Sequence, residues 1–311
     1  MPFYEQTPIK RLLLATDFSD WARRAEEYAC ALADSLRASL TVLTVLEFPP
    51  GMDPNYAVNK QYLTDRMSEA SAQLAEFKHE AHARGIAATT RIATGLPSDE
   101  VVTEALAEDA DMVIVGTRGN SGLAHVLLGS TAERLIRTAP CPVLAVHMPK
   151  AEGSVGQGMT FDRILVPTDL SDCSLEAVNY AKIVAIQVKA SIELLHIMQP
   201  ACYGIDFTIE SSADREQKRK AATGRLEALS SELTAAGIAV KLSLLGGAPS
   251  DTILEVAHRT SSNLIVMGTH GRRGLSHVLT GSVTEAVLRR GTLPVLAVRN
   301  PAFSRRMQVS V

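Results

Sequence analysis

Gly116, Gly119, Gly129 and Ser130 stand in a Gly-x2-Gly-x9-Gly-Ser spacing that recurs at Gly268, Gly271, Gly281 and Ser282. Each set follows an apolar run, 111–115 and 263–267, that reads as a buried strand, and each leads into a helical pattern. A strand, a glycine loop and a helix N-terminus are the parts with which a chain holds phosphate. Free N–H groups and the positive end of the helix dipole then face the anion. Glycine lets the backbone approach the phosphate closely and take positive φ. Ser130 with Glu133, and Ser282 with Glu285, read as Ser-x-x-Glu capping boxes opening those helices. The plainer alternative is a tight strand-to-helix connection with an ordinary cap.

The repeated spacing resembles the ATP-binding signature of the universal stress protein family, in two tandem copies that cover nearly the whole chain. The resemblance implies an α/β fold of two Rossmann-like domains, each a five-stranded parallel open sheet flanked by helices. It also implies ATP as the ligand, with or without Mg²⁺. Asp17 and Asp169, preceded by Thr16 and Thr168, take the adenine and ribose side, and the backbones of Val45 and Ile197 meet the base. The other nucleotide-binding positions are Gly116, Thr117, Gly119, Gly129, Ser130 and Thr131 in the first half. In the second they are Met267, Gly268, Gly271, Arg272, Gly281, Ser282 and Val283. Without a ligand, Asp17 beside Ser19 would simply open the next helix, and Val45 and Ile197 would pass as core.

Other residues of the loops are ambiguous. His125 and His277 occupy matching places, but a single His per half, with no second ligand at coordinating spacing, fits loop packing or the phosphate side better than a metal. Arg272 and Arg273 replace Asn120 and Ser121 and add positive charge to the second loop, so the second half is expected to bind triphosphate more tightly. There is no Gly-x4-Gly-Lys-Ser/Thr phosphate loop, no Gly-x-Gly-x-x-Gly dinucleotide fingerprint and no nucleophile–base set. The expectation is therefore a nucleotide-dependent regulator or protective protein of the stress response rather than an enzyme. The rivals are an enzyme that uses an adenine nucleotide on the related fold, and an interaction module with vestigial sites.

The elements that must position these residues follow from the repeat. Asp17 and Asp169, Gly85 and Gly237, Pro97 and Pro249, and Val143 and Val295 are all separated by 152 positions (169 − 17 = 152). The expected domains are 1–150 and 159–311, with a linker rich in Gly and Ser between them. Within each half, apolar runs alternate with helical patterns, as in βαβ units on a parallel sheet. In the first half the strands are expected at 11–15, 40–46, 86–92, 112–115 and 143–146. The helices are expected at 19–36, 60–84 and 98–109 and from Ser130. The first helix would bury Trp21, Ala25, Tyr28, Ala29 and Leu32, and Gly85 would cap the second. The family's strand order, three-two-one-four-five, puts the ligand crevice between strands one and four, beyond their carboxyl ends.

Bulk properties limit the partners. At 311 residues and a net charge of −3, the chain has no electrostatic footprint for nucleic acid or an anionic membrane. It has no apolar run of membrane-spanning length and no leader pattern, so it reads as cytoplasmic. Cys30, Cys141, Cys173 and Cys202 form no Cys-x-x-Cys pair and read as reduced thiols. The short apolar last strands, 142–146 and 294–298, would leave open sheet edges. In the family that edge makes the dimer contact, which implies an intramolecular pseudo-dimer, with a homodimer and an unidentified protein partner as further expectations.

Overall fold

A computed structural model describes residues 7–47, 57–119, 128–148, 159–198, 212–270 and 281–299. The chain divides into two compact units, Ile9–Met159 and one built on Thr160–Val311.

In the first unit, β1 (Arg11–Ala15), α1 (Asp20–Leu36), β2 (Ser39–Leu46), α2 (Ala57–Ala83), β3 (Ala88–Thr94) and α3 (Pro97–Ala107) come in strict alternation. They are followed by β4 (Met112–Gly116), α4 (Ser130–Thr138) and β5 (Val143–Val146). All the pairings are parallel, and they order the strands β3-β2-β1-β4-β5. The expected order is the observed one. Position 12 of β1 lies beside Leu40 on one flank and Met112 on the other. The central strands are aliphatic along their whole length because helices cover both faces of a parallel sheet. Leu12, Leu13, Leu14, Val113 and Ile114 are no more than 1% exposed.

The second unit repeats the plan with β6 (Arg163–Pro167), α5 (Asp172–Val188), β7 (Ser191–Met198), α6 (Ser212–Ala235), β8 (Val240–Gly246) and α7 (Pro249–Arg259). It ends with β9 (Leu264–Gly268), α8 (Ser282–Arg290) and β10 (Val295–Val298). Parallel pairing orders its strands β8-β7-β6-β9-β10. The 152-residue offset holds for every strand and for α1, α3 and α4 against their counterparts.

Three expectations shift. The second helix begins at Ala57, inside the stretch expected to be a loop, and β3 starts two residues later than expected. The buried face of α1 is built from Ala22, Ala25, Ala29, Cys30, Leu32, Ala33 and Leu36, and Trp21 and Tyr28 lie half-buried at its margin. Small residues win that face because it lies flat against β1 and β4. Gly85 does terminate the second helix as expected. It has φ 77° and donates to the His82 carbonyl at 2.9 Å, while Ile86 N–H donates to Ala81 O at 3.0 Å.

Candidate functional site

The chain leaves β1 through Thr16-Asp17-Phe18-Ser19, a turn made by its own side chains. Phe18 N–H donates to Thr16 Oγ1 at 3.0 Å, and Ser19 N–H and Oγ donate to Asp17 Oδ1 at 3.1 and 2.6 Å. Ser19 Oγ in turn accepts from Ala22 N–H at 3.2 Å, as the N-cap of α1. This winding forces Phe18 to φ 58°, a left-handed conformation rare outside glycine. The second unit builds the same turn. Leu170 N–H donates to Thr168 Oγ1 at 3.1 Å, Ser171 N–H and Oγ donate to Asp169 Oδ1 at 3.0 and 2.5 Å, and Leu170 has φ 63°. Both aspartates therefore organise a helix start. The turn uses Oδ1 of each carboxylate; Oδ2 is the other oxygen.

For Asp17 that oxygen lies against the loop after β4. A β-carbon on Gly119 would sit 2.5 Å from Asp17 Oδ2, so the glycine lets the two segments close on each other. Gly116 and Gly268 have a different reason. A β-carbon there would come within 2.9 Å of the Trp21 carbonyl and 2.8 Å of the Cys173 carbonyl. The first turns of α1 and α5 are pressed onto the ends of β4 and β9, and only glycine fits between them. Helix packing is thus one reason for glycine at these two positions, independent of any ligand.

The far ends of the loops are tied down in the same way in each unit. Thr117 N–H donates to Val146 O at 2.9 Å, and its carbonyl accepts Gly129 N–H at 2.7 Å. Thr269 N–H donates to Val298 O and its carbonyl accepts Gly281 N–H, at 2.9 and 2.7 Å. Here two expectations fail. Gly129 (φ −71°) and Gly281 (φ −60°) are extended, so neither is needed for positive φ. They also hold the N-cap position themselves, which moves Ser130 and Ser282 into the first helical turn and removes the Ser-x-x-Glu capping boxes. Glu133 and Glu285 N–H donate to the carbonyls of Gly129 and Gly281, both at 2.9 Å. The backbone N–H groups of Ser130 and Thr131, and of Ser282 and Val283, belong to the first turns of α4 and α8, where helices leave donors without an intrahelical partner.

Val45 and Ile197 are the penultimate residues of β2 and β7, half-buried, one strand over from the aspartate turns. Met267, penultimate in β9, is buried, so its side chain is core. Within each unit the fold thus gathers Thr16, Asp17, Val45, Gly116, Thr117, Gly119, Gly129, Ser130 and Thr131, or their counterparts, at the carboxyl ends of the strands. Gly271, Arg272, Arg273, His125 and His277 lie outside the described residues.

Several residues at this end were not legible as such. Glu26 of α1 accepts from Thr16 Oγ1 at 2.6 Å. Burial raises its carboxyl above the ordinary value of 4.5; the Thr16 hydroxyl and Arg23 oppose the rise, and Asp17 and Glu80 add to it. The Arg118 guanidinium lies over the Trp21 ring, 4.6 Å from its centroid. In the second unit, His196 Nδ1 pairs with Thr168 O at 2.7 Å and Arg225 Nη2 donates to Leu170 O at 3.1 Å. Position 44, the counterpart of His196, is Thr, so the repeat itself could have flagged this difference. Cys30, Cys141 and Cys173 are buried free thiols, and burial pushes Cys30 up to about 11 and Cys141 to about 12, far from a reactive thiolate. Cys202 lies outside the described residues. Among the described residues no cluster of His, Cys, Asp or Glu could hold a metal ion, and no helix is long and apolar enough to cross a membrane.

Two α/β units, each a five-stranded parallel sheet flanked by helices, define the fold class, and comparison with known proteins narrows it. The model of the universal stress protein family matches residues 8–147 and again 160–299. This chain belongs to the universal stress protein family, with two family domains in tandem. A universal stress protein of Synechocystis is 28% identical over 315 residues, covering 94% of this chain and 100% of that one. One from Methanocaldococcus jannaschii is 32% identical over 144 residues, 46% of this chain and 85% of its own. A crystal structure of a universal stress protein from Archaeoglobus fulgidus aligns with a TM-score of 0.70 at 22% identity, covering 93% of this chain and 98% of that one. At that identity the likeness speaks for the fold alone.

Proposed function

We propose that each domain binds an adenine nucleotide of the ATP type at the carboxyl ends of its first and fourth strands, with or without Mg²⁺, and that the protein acts as a nucleotide-dependent regulator or protective factor in the stress response. The observation that carries this reading is the approach of Gly119 to the Asp17 carboxylate. It joins the turn after β1 to the loop after β4, beside the first-turn N–H groups of α4. The nucleotide contacts are assigned to Thr16, Asp17, Val45, Gly116, Thr117, Gly119, Gly129, Ser130 and Thr131, with Thr168, Asp169, Ile197, Met267, Gly268, Gly271, Arg272, Gly281, Ser282 and Val283 in the second domain. The chain carries no nucleophile–base constellation in its sequence, so binding rather than turnover is the proposed activity. Domain limits of 1–150 and 159–311, and association of domains or copies through the last strands, form part of the same proposal on the sequence grounds given above.

A second reading has a specific observation in its favour. Helix packing explains Gly116 and Gly268, and helix capping explains Asp17 and Asp169, without any ligand. On that reading the protein is an interaction module with vestigial sites. Mass spectrometry of small molecules released from the purified full chain separates the two. Stoichiometric adenine nucleotide supports the first. Its absence, together with no heat of binding when ATP is added, leaves the second.

A further inference from the structure

We propose that Trp21 is a positioning residue of the first domain's nucleotide site, presenting as a phosphate-selecting group the Arg118 guanidinium, whose counterpart in the second domain is His270. The inference rests on the nucleotide reading above and adds to it a residue pair that reading does not use.

Trp21 is the second residue of α1, and its carbonyl lies where a β-carbon on Gly116 would come within 2.9 Å. The ring is therefore anchored through a backbone that cannot move away from the end of β4. Two residues beyond Gly116, the Arg118 guanidinium rests on that ring at 4.6 Å. The next residue, Gly119, abuts the Asp17 carboxylate. The arginine is thus fixed in sequence and in space between the helix that closes the crevice and the aspartate assigned to the ligand.

Stacking occupies the face of a guanidinium and leaves its five N–H donors, which lie in the plane, at the edge. Planar donors held in this way match phosphate oxygens two at a time. Among the described residues this guanidinium packs on the Trp21 ring, and the Arg118 side chain is half-buried. A free arginine loses rotamer freedom when it captures an anion; one already held on an anchored ring has lost much of that freedom before the ligand arrives.

The second domain has no such arrangement. Cys173 replaces Trp21, with its thiol toward the Val298 carbonyl at 3.6 Å, and His270 replaces Arg118, with Nδ1 beside Thr269 Oγ1 at 3.0 Å. The contrast gives the pair a predicted signature: it acts on phosphates and not on the nucleoside, and in the first domain alone.

The chain contains a single tryptophan, so its fluorescence reads this site without labelling. The test titrates the full-length protein with ATP and with adenosine, following Trp21 emission and, for variants without the indole, calorimetry. ATP should change the emission of the wild type. Arg118→Gln and Trp21→Leu should each weaken first-domain ATP binding about ten-fold, as expected for one charge-assisted pair, and leave adenosine unchanged. Trp21→Phe, which keeps an aromatic face, should recover most of the loss. The double variant should be no weaker than Arg118→Gln alone, because Trp21 acts through Arg118. Equal losses for ATP and adenosine, no loss at all, or additive losses in the double variant would overturn the proposal while leaving the nucleotide site intact. A wild type that binds neither ligand in either domain would overturn this inference together with the reading beneath it.

Discussion

Asp17 and Asp169 make the same turn with the same partners, whereas the residues around those turns differ between the domains. Glu26, which accepts from the Thr16 hydroxyl, is matched by Val178, so Thr168 pairs instead with Ser174 Oγ at 3.0 Å. Trp21 and Arg118 are matched by Cys173 and His270, and Thr44 by the buried His196. What is shared is the backbone: two left-handed residues after the aspartates, two glycines under helix carbonyls, and two loop ends pinned to a threonine carbonyl. What differs, beyond the shared aspartates, is several of the charged and aromatic side chains packed around it. A site assembled from backbone can keep its shape while its side chains change, so duplication leaves two crevices of one geometry and two chemistries. The first places Glu26 and the stacked Arg118 beside the turn, and at the matching positions the second has Val178 and His270.

The largest expected effect breaks the shared part. Gly268→Val forces a β-carbon against the Cys173 carbonyl, which belongs to a helix backbone and cannot rotate away. Gly116→Val does the same against Trp21. Each should destabilise its own domain by roughly 3 kcal/mol, at the upper end of overpacking penalties, with or without nucleotide. Urea denaturation of the two variants measures it. Unchanged midpoints would mean that the strand ends yield and that the glycines serve something other than packing.

Next in size are Gly129→Val and Gly281→Val. Both positions are extended N-caps whose φ any residue adopts, so strain does not oppose the change. At Gly129 a β-carbon would lie 3.3 Å from the Thr117 carbonyl, close enough to require a small shift of the loop end. The fold should lose about 1 kcal/mol. ATP affinity should fall in the substituted domain only, as calorimetry on the full chain would resolve. Equal ATP binding at both sites in both variants would make the loop ends connectors.

These two pairs show how far the sequence could be read. The alternation of elements, the offset of 152 and the aspartate turns were legible because each depends on local patterning repeated twice, whereas the strand order came from the family resemblance. The glycines stood out in the sequence, but the helix carbonyls packed against Gly116 and Gly268 did not. A glycine spacing does not say whether the missing β-carbon makes room for a ligand, for positive φ or for a neighbouring helix. Only the position of the Trp21 and Cys173 carbonyls decides that. The serine caps moved by one residue because glycine is itself a tolerated N-cap and the Ser-x-x-Glu pattern tolerates that shift. Trp21 with Arg118, and Thr16 with Glu26, escaped because no local rule pairs residues that the fold alone brings together.

A smaller effect compares the two turns directly. Ser19→Ala removes the hydroxyl that caps α1, accepting from Ala22 N–H at 3.2 Å, and should cost about 1 kcal/mol. Ser171→Ala should cost less. Its bond to Ser174 N–H is longer, at 3.4 Å, and Ser174 Oγ already donates to the Ser171 carbonyl at 2.9 Å and stays in place. Thermal unfolding of the two variants, side by side, ranks them. A larger loss for Ser171→Ala would mean that the two turns, alike in geometry, are not alike in energy.

The smallest effect isolates Glu26, a titratable side chain whose counterpart in the second domain is Val178. Glu26 is buried beside Thr16 and faces Arg23 on its own helix, Asp17 in the turn and Glu80 on α2. Burial raises its folded value above 4.5, so the folded domain holds this proton more tightly than the unfolded chain does. Stability contributed by the proton is therefore fully present below about pH 4.5 and is lost as pH rises through the raised folded value. At neutral pH the carboxylate is a net cost. Glu26→Gln keeps an oxygen acceptor for the Thr16 hydroxyl and removes the charge. The variant should match the wild type in acid and exceed it at pH 7 by about 1 kcal/mol or less, a modest single-site change. Emission from Trp21, which lies on the same helix, follows unfolding of this domain alone. Subtracting the wild-type curve from that of the variant cancels the other carboxylates, so what remains is the titration of Glu26. A difference that is flat with pH, or that favours the wild type at pH 7, would mean that the carboxylate's bond to Thr16 and its pairing with Arg23 outweigh its burial.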